Sequence, residues 1–391
     1  MKKIEEYINI YKDGLLNNTM PFWLKNSIDH EFGGFMLALD RDGTIIDTDK
    51  GMWQTSRFTW MLGTLYNEVE KKQEWLDLAI HGIEFIEKYG FDKDGRMFFQ
   101  VTRDGKPIRR RRYVFTETFA ATAFAAVAKA TGERKYAQKA EELYDLIIKY
   151  TSNPELEPSK FTDIRPLKGM AMPMTLISTA QEMRKNLGNE KYTGYIQSYI
   201  KEIQTDFMKP EFHAVLETVG PNGEFSDHFD GRLLCPGHAI ELAWFILQEG
   251  KEQNNPEYIK TGTTILDWMW EIGWDKEYGG ILYFRDAKGL PVQEYWQDMK
   301  FWWPQNETII ATLLAYQLTG DHKYEEWHKA IHDWTYKYFP DPEFGEWFGY
   351  LHRDGRISTT LKGNIWKGPF HIPRMELYAW KILEEIKAND R

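Results

Sequence analysis

The chain of 391 residues has only one cysteine, Cys235, so no intrachain disulfide can form. It has no apolar run of about 18 residues, so no membrane span is expected. It has no surplus of positive charge. The net charge of −10 excludes the basic face that a nucleic-acid partner requires, and the single basic run, Arg109-Arg110-Arg111-Arg112, reads as a solvated turn. Glu5 and Glu6 interrupt any signal-peptide apolar segment near the start, so a soluble cytoplasmic protein is expected. A phosphate-cradling Gly-x-x-x-x-Gly-Lys-Ser/Thr loop, a dinucleotide fingerprint and a nucleophile elbow are all missing. Cys235 therefore reads as a small buried hydrophobe, and the chemistry left open is metal-free acid/base work on a polar substrate.

What the chain does have is aromatic side chains, 15% of residues with 16 Trp, and an internal repeat. Five segments share a strand–turn–strand pattern whose turns end in glycine at 43, 105, 223, 289 and 355. Their Asp-Gly and Asn-Gly steps are strong hairpin signals. The gaps are 62, 118, 66 and 66 residues. The long gap is two units with one hairpin missing, which a sixth hairpin near Thr151–Glu155 would fill. Three hairpins follow related turns, Asp29–Gly33, Asp275–Gly279 and Asp341–Gly345. Between hairpins the apolar period becomes helical, predicting about twelve helices near 2–18, 52–71, 75–89, 115–131, 134–150, 170–187, 190–208, 237–250, 255–272, 305–319, 322–338 and 369–387. Two helices and a hairpin, six times, can close into a double ring or remain an open solenoid. Neither terminus resembles a polar capping repeat, which argues for closure.

In a closed ring one helix of each pair lines the inside. The six segments that follow a hairpin or long loop carry Arg57, Glu117, Met174, His238, Glu307 and His371 at nearly equal spacing. Histidine changes charge near neutral pH, and two imidazoles facing one cavity can remove a proton from one face of a carbon and return it to the other. Glu241 lies one turn after His238, and Arg374 one turn after His371. A second His pair, His328 and His332, has metal-ligand spacing but lacks the zinc-protease glutamate.

Trp53-Gln54-Thr55-Ser56-Arg57, Pro236-Gly237-His238-Ala239-Ile240-Glu241, Lys300-Phe301-Trp302-Trp303-Pro304-Gln305-Asn306-Glu307, Trp347-Phe348-Gly349-Tyr350 and Phe370-His371-Ile372-Pro373-Arg374 resemble the N-acylglucosamine 2-epimerase family, over essentially the whole chain. The resemblance implies an all-α (α/α)6 barrel with short β-hairpins in its connecting loops, read as one catalytic domain over 1–391. It implies His238 and His371 as catalytic acid and base on a ring-opened sugar, acting through an enediolate. Arg57 would stabilise the developing oxyanion, Glu241, Glu307 and Arg374 would bind substrate or tune the histidines, and Trp303 would pack a sugar face. Ala171-Met172-Pro173-Met174 resembles the N-acylglucosamine branch, whereas Gln305 is more familiar from the cellobiose and mannose branches. The reaction expected is interconversion of N-acetylglucosamine and N-acetylmannosamine. The alternatives are an epimerase of unacylated sugar, a mannose isomerase, an (α/α)6 glycoside hydrolase using carboxylates such as Glu241, Glu307 and Glu217, or a non-catalytic binding protein. No cofactor or metal is expected. ATP activation and a homodimer enter by family analogy alone.

Overall fold

The computed structural model describes residues 3–111 and 113–389. Arg112, at the end of the basic run, and Met1-Lys2 lie outside them. All twelve expected ring helices are present. The outer six are α1 (Ile4–Asp13), α4 (Gln73–Tyr89), α6 (Arg134–Thr151), α8 (Lys191–Glu202), α11 (Pro256–Gly273) and α13 (His322–Tyr338). The inner six are α3 (Met52–Glu68), α5 (Phe115–Thr131), α7 (Ala171–Leu187), α10 (Pro236–Glu252), α12 (Trp302–Thr319) and α14 (His371–Asn389). Two short helices, α2 (Met20–Asn26) and α9 (Phe229–Arg232), complete the set. Around the ring α3 packs on α5, α5 on α7, α7 on α10, α10 on α12 and α12 on α14, and each inner helix packs on an outer helix, giving an (α/α)6 barrel.

The burial patterns follow from these positions. Outer helices are amphipathic: α6 buries only Tyr136, Ala140, Leu143, Tyr144 and Ile147, a stripe of one face. Inner helices are more fully enclosed, and α12 buries every residue from Trp302 to Ala315. The alanines of α5 let it approach α3 closely. A Cβ added at Gly63 would lie 3.1 Å from the Ala126 methyl.

The ring is closed. Near the first hairpin, Leu39 N–H donates to Gly363 O at 3.1 Å. Arg41 Nε donates to Asp341 Oδ2 at 2.7 Å, tying the first hairpin to the last turn. Tyr11 of α1 lies between His328 and His332 of α13, 2.8 Å from each. Burial depresses the His332 pKa to about 4, and that of His328 falls well below the ordinary value. This His pair is therefore a neutral piece of the seam.

The three related turns serve one purpose. Asp29 accepts from Lys50 and Arg103, Asp275 from Lys300 and Arg353, and Asp341 pairs with Lys362 and Arg41. Each lysine is buried and also donates to the last glycine of its turn, Gly33, Gly279 or Gly345. A two-residue ladder then stitches the strand before an inner helix to the next hairpin: Lys50 opposite Val101, Lys300 opposite Leu351, and Lys168 opposite Val219. The glycines ending the five hairpin turns all have positive φ, from 72° to 91°, which the turn requires. The sixth hairpin does not form. Helix α6 continues through Thr151 and an irregular loop follows, with its one short strand, Lys168–Gly169, paired to Thr218–Val219.

Candidate active site

The inner helices α10, α12 and α14 begin at the same end of the barrel. His238 sits in the first turn of α10, Trp303 is the second residue of α12, and His371 the first of α14. Three positive helix ends therefore converge where negative charge could develop. An axial cavity of about 870 Å³ starts there and runs to the opposite ends of the inner helices at Glu182 and Lys185. Trp53, Trp296, Trp303 and Trp366 line its aromatic mouth.

Trp303 lies beside both histidines, its ring centroid 4.9 Å from that of His238 and 5.9 Å from that of His371. Gly237 makes this possible, since a Cβ there would lie 2.7 Å from the Trp303 ring. The histidines are held differently. His371 Nδ1 donates to Glu307 Oε1 at 2.6 Å, and Trp244 Nε1 donates to Glu307 Oε2 at 2.7 Å. Arg374 bridges Glu241 and Glu307 at 2.6 and 2.7 Å. Burial, with Arg374 and Arg57 nearby, drives the His371 pKa well below the ordinary histidine value despite Glu241. With Nδ1–H committed to Glu307, Nε2 is left with a free lone pair. His238 Nδ1 donates instead to Glu217 Oε2 at 3.0 Å. Burial opposes charge there, but the Cys235 sulfur and the Glu217 carboxylate outweigh it and hold the His238 pKa well above the ordinary value. The same cavity thus faces one imidazole disposed to accept a proton and one disposed to donate.

Arg57 stands apart from Arg374. Arg374 has two carboxylates, whereas Arg57 is caged by aromatic rings, its guanidinium carbon 4.0 Å from the Phe119 centroid and 4.6 Å from that of Phe370. Its Nε has no hydrogen-bond partner, and burial lowers its pKa to about 9. A desolvated cation beside a cavity favours an anionic partner.

The structure gathers His238, His371, Arg57, Glu241, Trp303 and Arg374 on the cavity wall, with Glu307 directly behind. Glu117, although equivalent in the repeat, takes no part. It accepts from Arg96 Nε at 2.7 Å and from the Met97 N–H at 3.0 Å, away from the cavity. Gln305 is likewise occupied, bracing the backbone of Ile281 on both its N–H and C=O. Met174 does face the cavity. In the sequence Glu217 stands out only as a carboxylate for the hydrolase alternative and not as the partner of His238, which lies 21 residues away across an irregular loop.

Fold and site together define a barrel with a two-imidazole cleft. The profile of N-acylglucosamine 2-epimerase (GlcNAc 2-epimerase) matches residues 33–372. N-acylglucosamine 2-epimerase of Mus musculus is 34% identical, covering 98% of this chain and 94% of the mouse protein. Cellobiose 2-epimerase of Eubacterium cellulosolvens is 26% identical over 96% of this chain and 98% of its own. The solved structure of cellobiose 2-epimerase from Bacillus thermoamylovorans B4167 superposes with a TM-score of 0.84, at 22% identity over 98% of this chain and 100% of that one. The chain belongs to the N-acylglucosamine 2-epimerase family.

Proposed function

We propose that this protein is a carbohydrate 2-epimerase that interconverts N-acetyl-D-glucosamine and N-acetyl-D-mannosamine. The observation that carries the reading is the pair of imidazoles beside Trp303, each with its own carboxylate and with an uncommitted cation on the same cavity wall. The sugar binds at the aromatic mouth, Trp303 packing a ring face, and opens to expose the C1 aldehyde, which acidifies the C2 hydrogen. His371 Nε2 removes that proton when it faces α14. Arg57 and the three helix ends stabilise the enediolate oxygen. His238 delivers a proton to the opposite face, and the configuration at C2 inverts. In the reverse direction the roles exchange.

An acylated sugar suits Ala171 and Met174, which give the cavity an apolar wall. Gln305, the residue that favoured a free sugar, is turned to the backbone. A glycoside hydrolase needs an acid and a base carboxylate free to act. Here Glu241 and Glu307 both hold Arg374, and Glu217 holds His238. The chemistry described draws on protein side chains alone, and we read residues 1–391 as one catalytic domain. No described helix is long and apolar enough to cross a membrane. The composition suits a cytoplasmic protein, and a homodimer is the assembly we propose.

The test is incubation of N-acetyl-D-mannosamine in deuterated water, followed by NMR. Deuterium is expected at C2 of the N-acetylglucosamine formed. Unchanged substrate, or a ketose product, would overturn the reading.

A further inference from the structure

Beside the catalytic His238, one group of side chains has the composition of a metal-ligand set. Cys235 Sγ, a ring nitrogen of His238 and a carboxylate oxygen of Glu217 all lie within 4.8 Å of one another, and His238 Nδ1 is 3.0 Å from Glu217 Oε2. Cys235 is the residue capping the start of α10, and its sulfur is buried. Glu217 Oε1 is buried and has no hydrogen-bond partner. The Glu217 and His238 side chains retain 14% and 32% exposure, so a small ion has a way in from the cavity side. Sulfur, imidazole nitrogen and carboxylate oxygen form the donor set that selects zinc-class ions over magnesium or calcium. Bonds of about 2.0 to 2.3 Å around a tetrahedral ion place donors roughly 3.3 to 3.7 Å apart. The His238 to Glu217 distance of 3.0 Å needs only a few tenths of an ångström of opening.

We propose that Glu217, Cys235 and His238 form a site for a zinc-class divalent ion, and that occupancy arrests the catalytic role of His238. Three protein ligands leave a fourth position for water. Binding releases the Cys235 thiol proton and displaces the proton on His238 Nδ1, so a metal-bound imidazole keeps hydrogen on Nε2 alone. That nitrogen can then neither accept a proton from C2 nor release one as an imidazolium would. Among the described residues, a second cluster of donors at the cavity wall, Glu241, Glu307 and His371, cannot act in the same way because Arg374 already bridges its two carboxylates.

The arrest rests on the epimerase reading, but the binding does not, and the experiment separates them. Metal-free full-length protein is titrated with Co2+ while the near-ultraviolet thiolate-to-cobalt charge-transfer band is recorded. The band is expected to saturate at one ion per chain, to vanish on addition of Zn2+, and to be absent from Cys235→Ala. Cys235→Ser serves in its place if the alanine variant folds poorly. Because Cys235 is the only thiol, a wild-type protein without the band overturns the site, whatever the protein catalyses. In a parallel assay, Zn2+ is expected to reduce C2 deuteration by wild type at least tenfold. Each variant, measured against its own metal-free rate, is expected to lose that inhibition. Full turnover with the site saturated, or equal inhibition of the variants, overturns the arrest. No deuteration by metal-free wild type counts against the epimerase reading and leaves the band to decide the site.

Discussion

At the scale of single residues, the carboxylates behind the histidines are as informative as the histidines. Glu217→Gln replaces an acceptor with an amide that can present N–H to Nδ1 and reverse the tautomer of His238. Such a reversal costs about 10²–10⁴-fold in turnover where a carboxylate orients a catalytic histidine. The expected result is a loss of that order in kcat with KM little moved. Replacing Arg57 with Met removes the uncommitted cation, and the expected loss is about 3–4 kcal/mol of transition-state stabilisation, read as a fall in kcat/KM. The pH profile adds a sign. The base must be neutral, and burial beside Arg374 and Arg57 pushes the His371 pKa down. As the pH falls, kcat/KM is therefore expected to hold through 6.5 and decline only well below it. An acid limb centred at or above 6.5 would mean that His371 is not the base.

At the scale of elements, the helices were legible because a 3.6-residue period is a local property. Every expected helix is present, most within a residue or two, since each inner or outer position imposes its own burial pattern. The ladders were not legible. Pairings of two residues, such as Lys300–Phe301 with Tyr350–Leu351, carry no periodic signal. The missing sixth hairpin has the same cause, because repeat spacing marks where a unit falls and only turn chemistry makes a hairpin, and 151–155 lacks an Asp-Gly or Asn-Gly step. Glu117 shows the limit of register reasoning. Equivalent positions share a helix face, but the buried Arg96 turned this one toward structure. The repeated Asp–Lys–Arg clusters give an expectation at this scale. Both Asp341 and Lys362 are fully buried, and removing one member of a buried ion pair leaves the other uncompensated, at about 3–5 kcal/mol. Asp341→Ala is expected to lower the thermal midpoint by several degrees. Burial works against the charge on Asp341, but Arg41 and Lys362 hold its pKa below the ordinary carboxylate value. The stabilisation is therefore present at neutral pH and is lost as pH falls through the acid range. Wild type and variant should then converge in stability at low pH.

At the scale of the molecule, closure is what brings His371, Arg57 and His238 to one cavity, and closure depends on the first helices meeting the last. Tyr11, Leu15, Met20 and Trp23 are all buried. Trp23 Nε1 donates to Glu346 Oε2 at 2.8 Å, and α1 packs along α14, the helix that begins with His371. In an open solenoid each repeat contacts only its neighbours, so losing an end helix removes one interface and leaves the remainder folded. In a closed ring the same deletion exposes both flanks of the gap at once. Deleting residues 1–26 should therefore cost far more than the contacts of one terminal helix. It should unseat α14, and with it His371 and Arg374, while α10 keeps His238. The expected outcome is a chain that retains helical far-ultraviolet circular dichroism but loses cooperative melting and epimerisation together. A truncated chain that melted as sharply as the full one and kept its activity would show that α14 holds its place without α1, and that the ring's closure is not what positions the site.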